Sequence, residues 1–145
     1  MLVDVDLLLY AVVAGIPEHA PAKSWLQEQL NGDSRVGMPW ESLTGFLRLS
    51  TNPRVVERPL AAQAAWAIVE DWLAAPVAWV PLATDRHADV FGALVTRYRP
   101  TGKLVADAHL VALAIEHGLD ICSSDTDFAR FSEIRWINPL ADTTS

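Results

Sequence analysis

Apolar residues recur along this chain in two rhythms. Short runs at Leu2-Val3, Arg35 to Met38, Val77 to Leu82 and Asp120 to Cys122 are bounded by polar or turn residues and predict buried strands. Longer stretches repeat at three and four residues: Ala22, Trp25, Leu26 and Leu30 within Pro17 to Leu30, and Ala64, Ala65, Ile68, Val69 and Trp72 within Leu60 to Leu73. These predict amphipathic helices. The first strand is expected at about 2–5 and a helix from about 7, with Asp6 as its N-cap. Asn31-Gly32 ends the second helix, and Pro39 starts a third that runs through Leu49 to the break at Thr51-Asn52-Pro53-Arg54. Asp85 to Tyr98 and the strongly apolar Leu104 to His117 predict two more helices, parted by Pro100-Thr101-Gly102. Phe128 to Phe131 reads as a helical turn and Arg135-Trp136-Ile137 as a last edge strand. Strands alternating with helices predict an α/β fold with a mainly parallel sheet. One domain is expected over 1–140, with a loose tail at 141–145.

Composition narrows the class. The chain has 145 residues, 51% of them apolar, enough for a full core. No apolar run reaches the length of a membrane span. An acid, Asp4, stands where a signal peptide carries basic residues, so a cytoplasmic protein without a cleaved leader is expected. The single cysteine, Cys122, forms no internal disulfide and reads as a small core residue of its strand. The net charge of -7 argues against a broad basic surface for nucleic acid. It leaves room for a nuclease, whose site needs acids to hold cations and only a few local bases.

The acids are where the chemistry concentrates. Asp4, Glu41 and Asp125 fall at or just after strands, and ligands of parallel α/β sheets gather beyond the carboxyl ends of the strands. Asp107 lies on an apolar helix stripe with Leu104, Leu110 and Val111, where an unpaired carboxylate is costly and calls for a cation, a hydrogen bond or a proton. The alternative for Asp107 and Glu41 is a first-turn acid facing the helix dipole. Glu41 shares its face with Thr44, Gly45 and Arg48, two small residues and one potential phosphate partner. Asp4-Val5-Asp6 and Asp125-Thr126-Asp127 are both D-x-D, and one acid of each is expected to cap a helix, Asp6 and Asp127 being the natural choices. Clustered carboxylates repel unless a cation joins them, and hard oxygen ligands suit Mg²⁺ or Mn²⁺. Such ions support phosphodiester hydrolysis.

Other motifs add less. His19, His87, His109 and His117 form no H-E-x-x-H, and no zinc site is expected. His109 follows Asp107 by two positions, points away from it around the helix, and reads as a surface histidine. Of the six tryptophans, most are expected in the core, with one or two at a subunit or partner interface. Arg48, Arg54, Arg97, Arg99 and Lys103 are candidate phosphate contacts.

The acid-bearing segments together resemble the PIN-domain ribonucleases of the VapC toxin type. The resemblance runs from Val3-Asp4-Val5-Asp6-Leu7-Leu8 through Pro39-Trp40-Glu41-Ser42-Leu43 and Leu104-Val105-Ala106-Asp107-Ala108-His109 to Ser124-Asp125-Thr126-Asp127-Phe128 and Trp136-Ile137-Asn138-Pro139. It implies a three-layer α/β/α PIN-like fold and a Mg²⁺-dependent endoribonuclease, usually a homodimer, restrained by a VapB-like antitoxin. By position, Asp4 and Asp107 are the metal ligands it implies, Glu41 a third acid, and Asp125 or Asp127 the fourth. Asp6 stands where the family usually has Asn, Ser or Thr, and Lys103 where close relatives often have Asn. A housekeeping PIN-domain nuclease for RNA processing is the main alternative. A haloacid-dehalogenase-like phosphatase would need Gly-Thr after the second aspartate, where Leu7-Leu8 stands. A signalling receiver domain would need a lysine after the Ile121-Cys122 strand, and none is present there.

Overall fold

The computed structural model describes residues 1–141, so the expected loose tail lies, but for Ala141, outside the described residues. Five short strands, β1 (Leu2–Val3), β2 (Val36–Gly37), β3 (Ala78–Trp79), β4 (Ile121–Cys122) and β5 (Trp136–Ile137), form one sheet in the order β3-β2-β1-β4-β5. Every pairing is parallel. Successive side chains on a strand point to opposite faces, and this sorts the core into two halves. Val3 and Cys122 pack with Leu7, Leu8, Leu26, Leu43, Phe46 and Val69, from helices α1 (Val5–Tyr10), α2 (His19–Leu30), α3 (Trp40–Ser50) and α4 (Ala62–Ala74). Leu2 and Ile121 pack with Leu94, Leu110, Val111, Leu113 and Phe128, from α5 (His87–Tyr98), α6 (Lys103–His117) and a 3₁₀ turn (Thr126–Arg130). The result is the expected α/β/α sandwich.

α6 is the central helix of its layer and is buried on most sides. It ends at Gly118, whose φ of +66° lets the Gly118 and Leu119 N–H groups turn back to the carbonyls of Ile115 and Ala114. Cys122 is buried, and burial pushes its thiol up to about 11, as an inert core residue requires.

Several local expectations are corrected. β1 ends at Val3, because Asp4 turns the chain into α1; Asp4, not Asp6, caps that helix by accepting from the Val5 N–H. Asp125 caps the 3₁₀ turn through the Asp127 N–H, where Asp127 had been the natural choice. Most tryptophans are not core. Only Trp72 is buried, and Trp40 and Trp66 expose 40% and 43% of their surface. Single-layer helices such as α3 and α4 have one covered face, and a large ring at the margin of that face remains partly wet.

Gly45 does more than leave room beside Glu41. A Cβ on it would lie 2.9 Å from Cγ2 of Val5, so its lack of a side chain sets how closely α1 approaches α3. Gly45→Val is expected to destabilise the fold by about 1–3 kcal/mol through overpacking. It should also cut activity, since the same two helices carry Asp6 and Glu41. Thermal melting read beside an activity assay checks both effects, and an unchanged melting temperature would show that α1 yields freely.

Candidate active site

β1 lies at the middle of the sheet, with β2 on one side and β4 on the other. The chain reverses its winding there, which opens a crevice beyond the strand ends. A cleft of about 390 Å³ occupies it, walled by Asp4 and Asp6 after β1, Glu41 and Arg48 of α3, Lys103, Asp107 and His109 of α6, and Asp125 after β4. A second cavity of about 400 Å³, around Val12, Val13, Ser50 and Arg58, has only Glu57 as an acid and lacks this convergence.

The β1 end is held by buried hydroxyls. Ser42 of α3 donates to the Val3 carbonyl at 2.7 Å, tying α3 and its Glu41 to the strand that presents Asp4. Ser123 donates to Asp4 at 2.7 Å and accepts from the Asp125 N–H at 3.0 Å, joining two acid-bearing segments. Asp6 is clasped by Ser124, through the N–H at 2.9 Å and the hydroxyl. Sequence reading passed over these serines, although Ser123-Ser124 directly precedes Asp125. Asp4 is only 8% exposed. Burial, and the Asp6 charge beside it, push its carboxyl up to about 6, against the pull of the Ser123 bond.

Asp107, 5% exposed, lies one helical turn from Lys103. The Lys103 ammonium is 3.0 Å from Asp107 and 3.8 Å from Asp127, and it also bonds Asp125. One oxygen from each of Asp107, Asp125 and Asp127 lies within 4.8 Å of the others. Burial holds Asp107 above the ordinary carboxylate range, although Lys103 pulls it down. For Asp125, burial is outweighed by Lys103 and the Asp127 N–H, which bring it below that range. Burial likewise works against the Lys103 charge, but its bonds to Asp125 and Asp107 hold the ammonium well above the usual lysine range. The donor set is all oxygen, and the Lys103 ammonium already bonds two of its acids. It therefore fits a hard divalent ion in chemistry and in charge.

Of the five predicted acids, Asp107, Asp125 and Asp127 gather most tightly. Asp4 shares their cleft but is bonded to Ser123. Glu41 faces them from α3 and bonds His109 Nε2, and that bond more than burial sets its carboxyl, holding it below the usual range. His109 is thus no plain surface histidine. It lies three residues past Ala106 on the side of α6 that borders both the cleft and α5. Of the candidate phosphate contacts, Arg48 and Lys103 reach the cleft, while Arg97 pairs with Glu133 at 2.8 Å.

The PIN domain family matches residues 1–134, a span that holds all five acids. The chain belongs to the PIN domain family. This PIN domain is 45% identical over 140 residues to Ribonuclease VapC37 of Mycobacterium tuberculosis, covering 97% of each chain. It is 41% identical over 139 residues to Ribonuclease VapC33 of the same organism, covering 96% of this chain and 97% of the other. These relatives place it with the VapC proteins. It also resembles in fold a chain from the crystal structure of VapBC2 from Rickettsia felis bound to a DNA fragment from their promoter. That match has a TM-score of 0.67 over 94% of this chain and 96% of that one; at 12% identity it speaks to fold alone. The phosphatase, receiver-domain and housekeeping readings are not favoured by any of these matches.

Proposed function

We propose that this PIN domain is a Mg²⁺-dependent endoribonuclease that hydrolyses RNA phosphodiester bonds as the toxin of a VapBC-like toxin–antitoxin pair. The observation that carries the reading is the convergence of Asp4, Glu41, Asp107 and Asp125 on one cleft at the sheet's switch point. Relatives that share at least two-fifths of the sequence over nearly the whole chain are named ribonucleases.

Asp4 and Asp107 would hold the metal, with Asp125 or Asp127 completing the oxygen set and Mn²⁺ able to substitute. When bound, Mg²⁺ makes water a better nucleophile near neutral pH and offsets charge on the phosphoryl oxygens. The chain's own groups do the rest. Ser123 fixes the Asp4 carboxylate, and the Asp125 cap fixes the β4 loop. Glu41, across the cleft, is placed to orient a water or take its proton. Arg48, at the cleft wall, can meet an RNA phosphate, which suits a protein of net charge -7 whose contacts with RNA must be local.

A VapB-like antitoxin is the proposed partner, with a basic tail entering this acidic cleft as it orders. A cytoplasmic homodimer is the proposed form; among the described residues no helix is long and apolar enough to cross a membrane.

Purified protein is expected to cut RNA internally with Mg²⁺ or Mn²⁺, and to lose cleavage on chelation by EDTA and regain it on adding Mg²⁺. Cleavage that persists at full rate in EDTA would remove the metal from this reading. Failure to cut RNA under any metal condition would remove the activity.

A further inference from the structure

Four side chains form a row of close polar contacts that starts at the C-terminal end of α6, against α5, and ends in the cleft. Glu116 is in the last turn of α6, and its side chain is fully enclosed. It accepts from the Thr84 N–H at 2.9 Å and the Thr84 hydroxyl at 2.7 Å, and its second oxygen lies 2.5 Å from His87 Nδ1. His87 Nε2 is 3.0 Å from His109 Nδ1, and His109 Nε2 bonds Glu41. Phe91 stacks on His87 with planes 6° apart and meets His109 edge-on, which walls both rings.

Two features make this row more than incidental packing. A glutamate in the last turn of a helix opposes the helix dipole, and enclosing its carboxylate costs more. Burial works against this charge, but the bonds from Thr84 and His87 hold the carboxylate below the usual range, so the charge persists because of the row. At the other end, Glu41 has a half-exposed, flexible side chain, and among the described residues His109 is the one side chain that bonds its carboxylate. The row also fixes ring orientation. A carboxylate only accepts, so His87 offers Nδ1–H to Glu116 and His109 offers Nε2–H to Glu41.

We propose that Glu116, His87 and His109 are positioning residues that set the Glu41 carboxylate toward the cleft. The role of Glu41 in cleavage rests on the ribonuclease reading above; the row itself does not. Hydrogen-bond partners that orient metal-ligating side chains from behind are typically worth about 10–100-fold in affinity or activity, and a loss of that order is expected here.

The test uses the full chain and the variants Glu116→Gln, His87→Asn and Glu41→Gln. Glu116→Gln keeps the shape and the Thr84 acceptor but reverses the polarity offered to His87. In spectra of ¹⁵N-labelled histidine, Glu116→Gln should shift the ring signals of His109, which it does not touch, and Glu41→Gln should shift those of His87. In RNA cleavage, His87→Asn and Glu116→Gln should each lower kcat about 10-fold or more with KM within about twofold. Placed in the Glu41→Gln background, the same changes should add less than about a further twofold, because they act through Glu41. Equal losses with and without Glu41, or a loss carried by KM alone, would overturn the positioning role. If the parent cuts no RNA, the ribonuclease reading fails and the ring spectra decide the row: propagation across it supports the row, and independent signals overturn it.

Discussion

Asp4→Asn should abolish RNA cleavage and, in the same molecule, make the metal-free chain harder to unfold. The first effect follows from the place of Asp4, at the β1 end of the cleft and fixed by Ser123. An amide cannot replace a carboxylate as a hard anionic ligand, and losses of at least about 100-fold are expected. Asp107→Asn should match it, and either variant cutting RNA like the parent would sink the proposed metal site.

The second effect follows from burial. A carboxyl raised from 3.8 to about 6 binds protons more readily folded than unfolded. Between roughly pH 4 and pH 6 the folded state therefore holds more protons, and this group's contribution to stability falls as pH rises through that window. At pH 7 the penalty is fully developed and amounts to about 3 kcal/mol, which an uncharged Asn largely avoids. Melting curves in EDTA should show Asp4→Asn more stable than the parent at pH 7, with the gap closing toward pH 4. Glu41, Glu116 and Asp125, held below their usual values, tilt both proteins the other way, and the difference between the two curves reads Asp4 together with the charges of Asp6 and Asp107 that couple to it. A gap that widens as pH falls would contradict this account.

Phe46→Ala should produce the largest loss of stability. Phe46 has no exposure, lies in the α1–α4 half of the core, and meets Trp72 edge-to-face at 4.8 Å. Removing a buried ring loses its transfer free energy and leaves a cavity that the surrounding helices only partly fill, at about 3–5 kcal/mol. For a chain of this size that corresponds to a fall in Tm of roughly 10–15 °C. Trp66→Ala is the matching control: the residue is 43% exposed, and a loss clearly smaller than that of Phe46→Ala is expected. Similar losses from both substitutions would mean that the burial assigned here is wrong.

Much of this was legible in the sequence. Alternating rhythm was enough to order strands and helices, because Leu2 and Val3, or Ile121 and Cys122, must send neighbouring side chains to opposite layers. The acids were legible for a related reason: strand ends in a parallel sheet lie on one rim, so residues far apart in sequence converge there. What escaped was decided across elements. In each D-x-D either acid satisfies the local rules of capping, and the choice of Asp4 and Asp125 depends on where β1 and β4 stop. The row from Glu116 to Glu41 links a loop and three helices through two layers. Its one local trace is that His109 and Glu116 lie two turns apart on the same side of α6. The partly wet tryptophans escaped because a helix pattern shows which face is apolar but not how far the neighbouring helix extends over it.

Lys103 has a consequence for how the site comes to hold a metal. Its ammonium already neutralises part of the charge on Asp107, Asp125 and Asp127, so folding does not have to wait for an ion. On the metal-dependent reading proposed above, a divalent ion binding between these acids would have to displace the Lys103 ammonium, which is covalently leashed to the same helix. A leashed group of this length presents itself at an effective concentration of about millimolar or more. Such an ion would prevail only through its second charge and additional ligands, and the length of one side chain would help to set the threshold at which it did so.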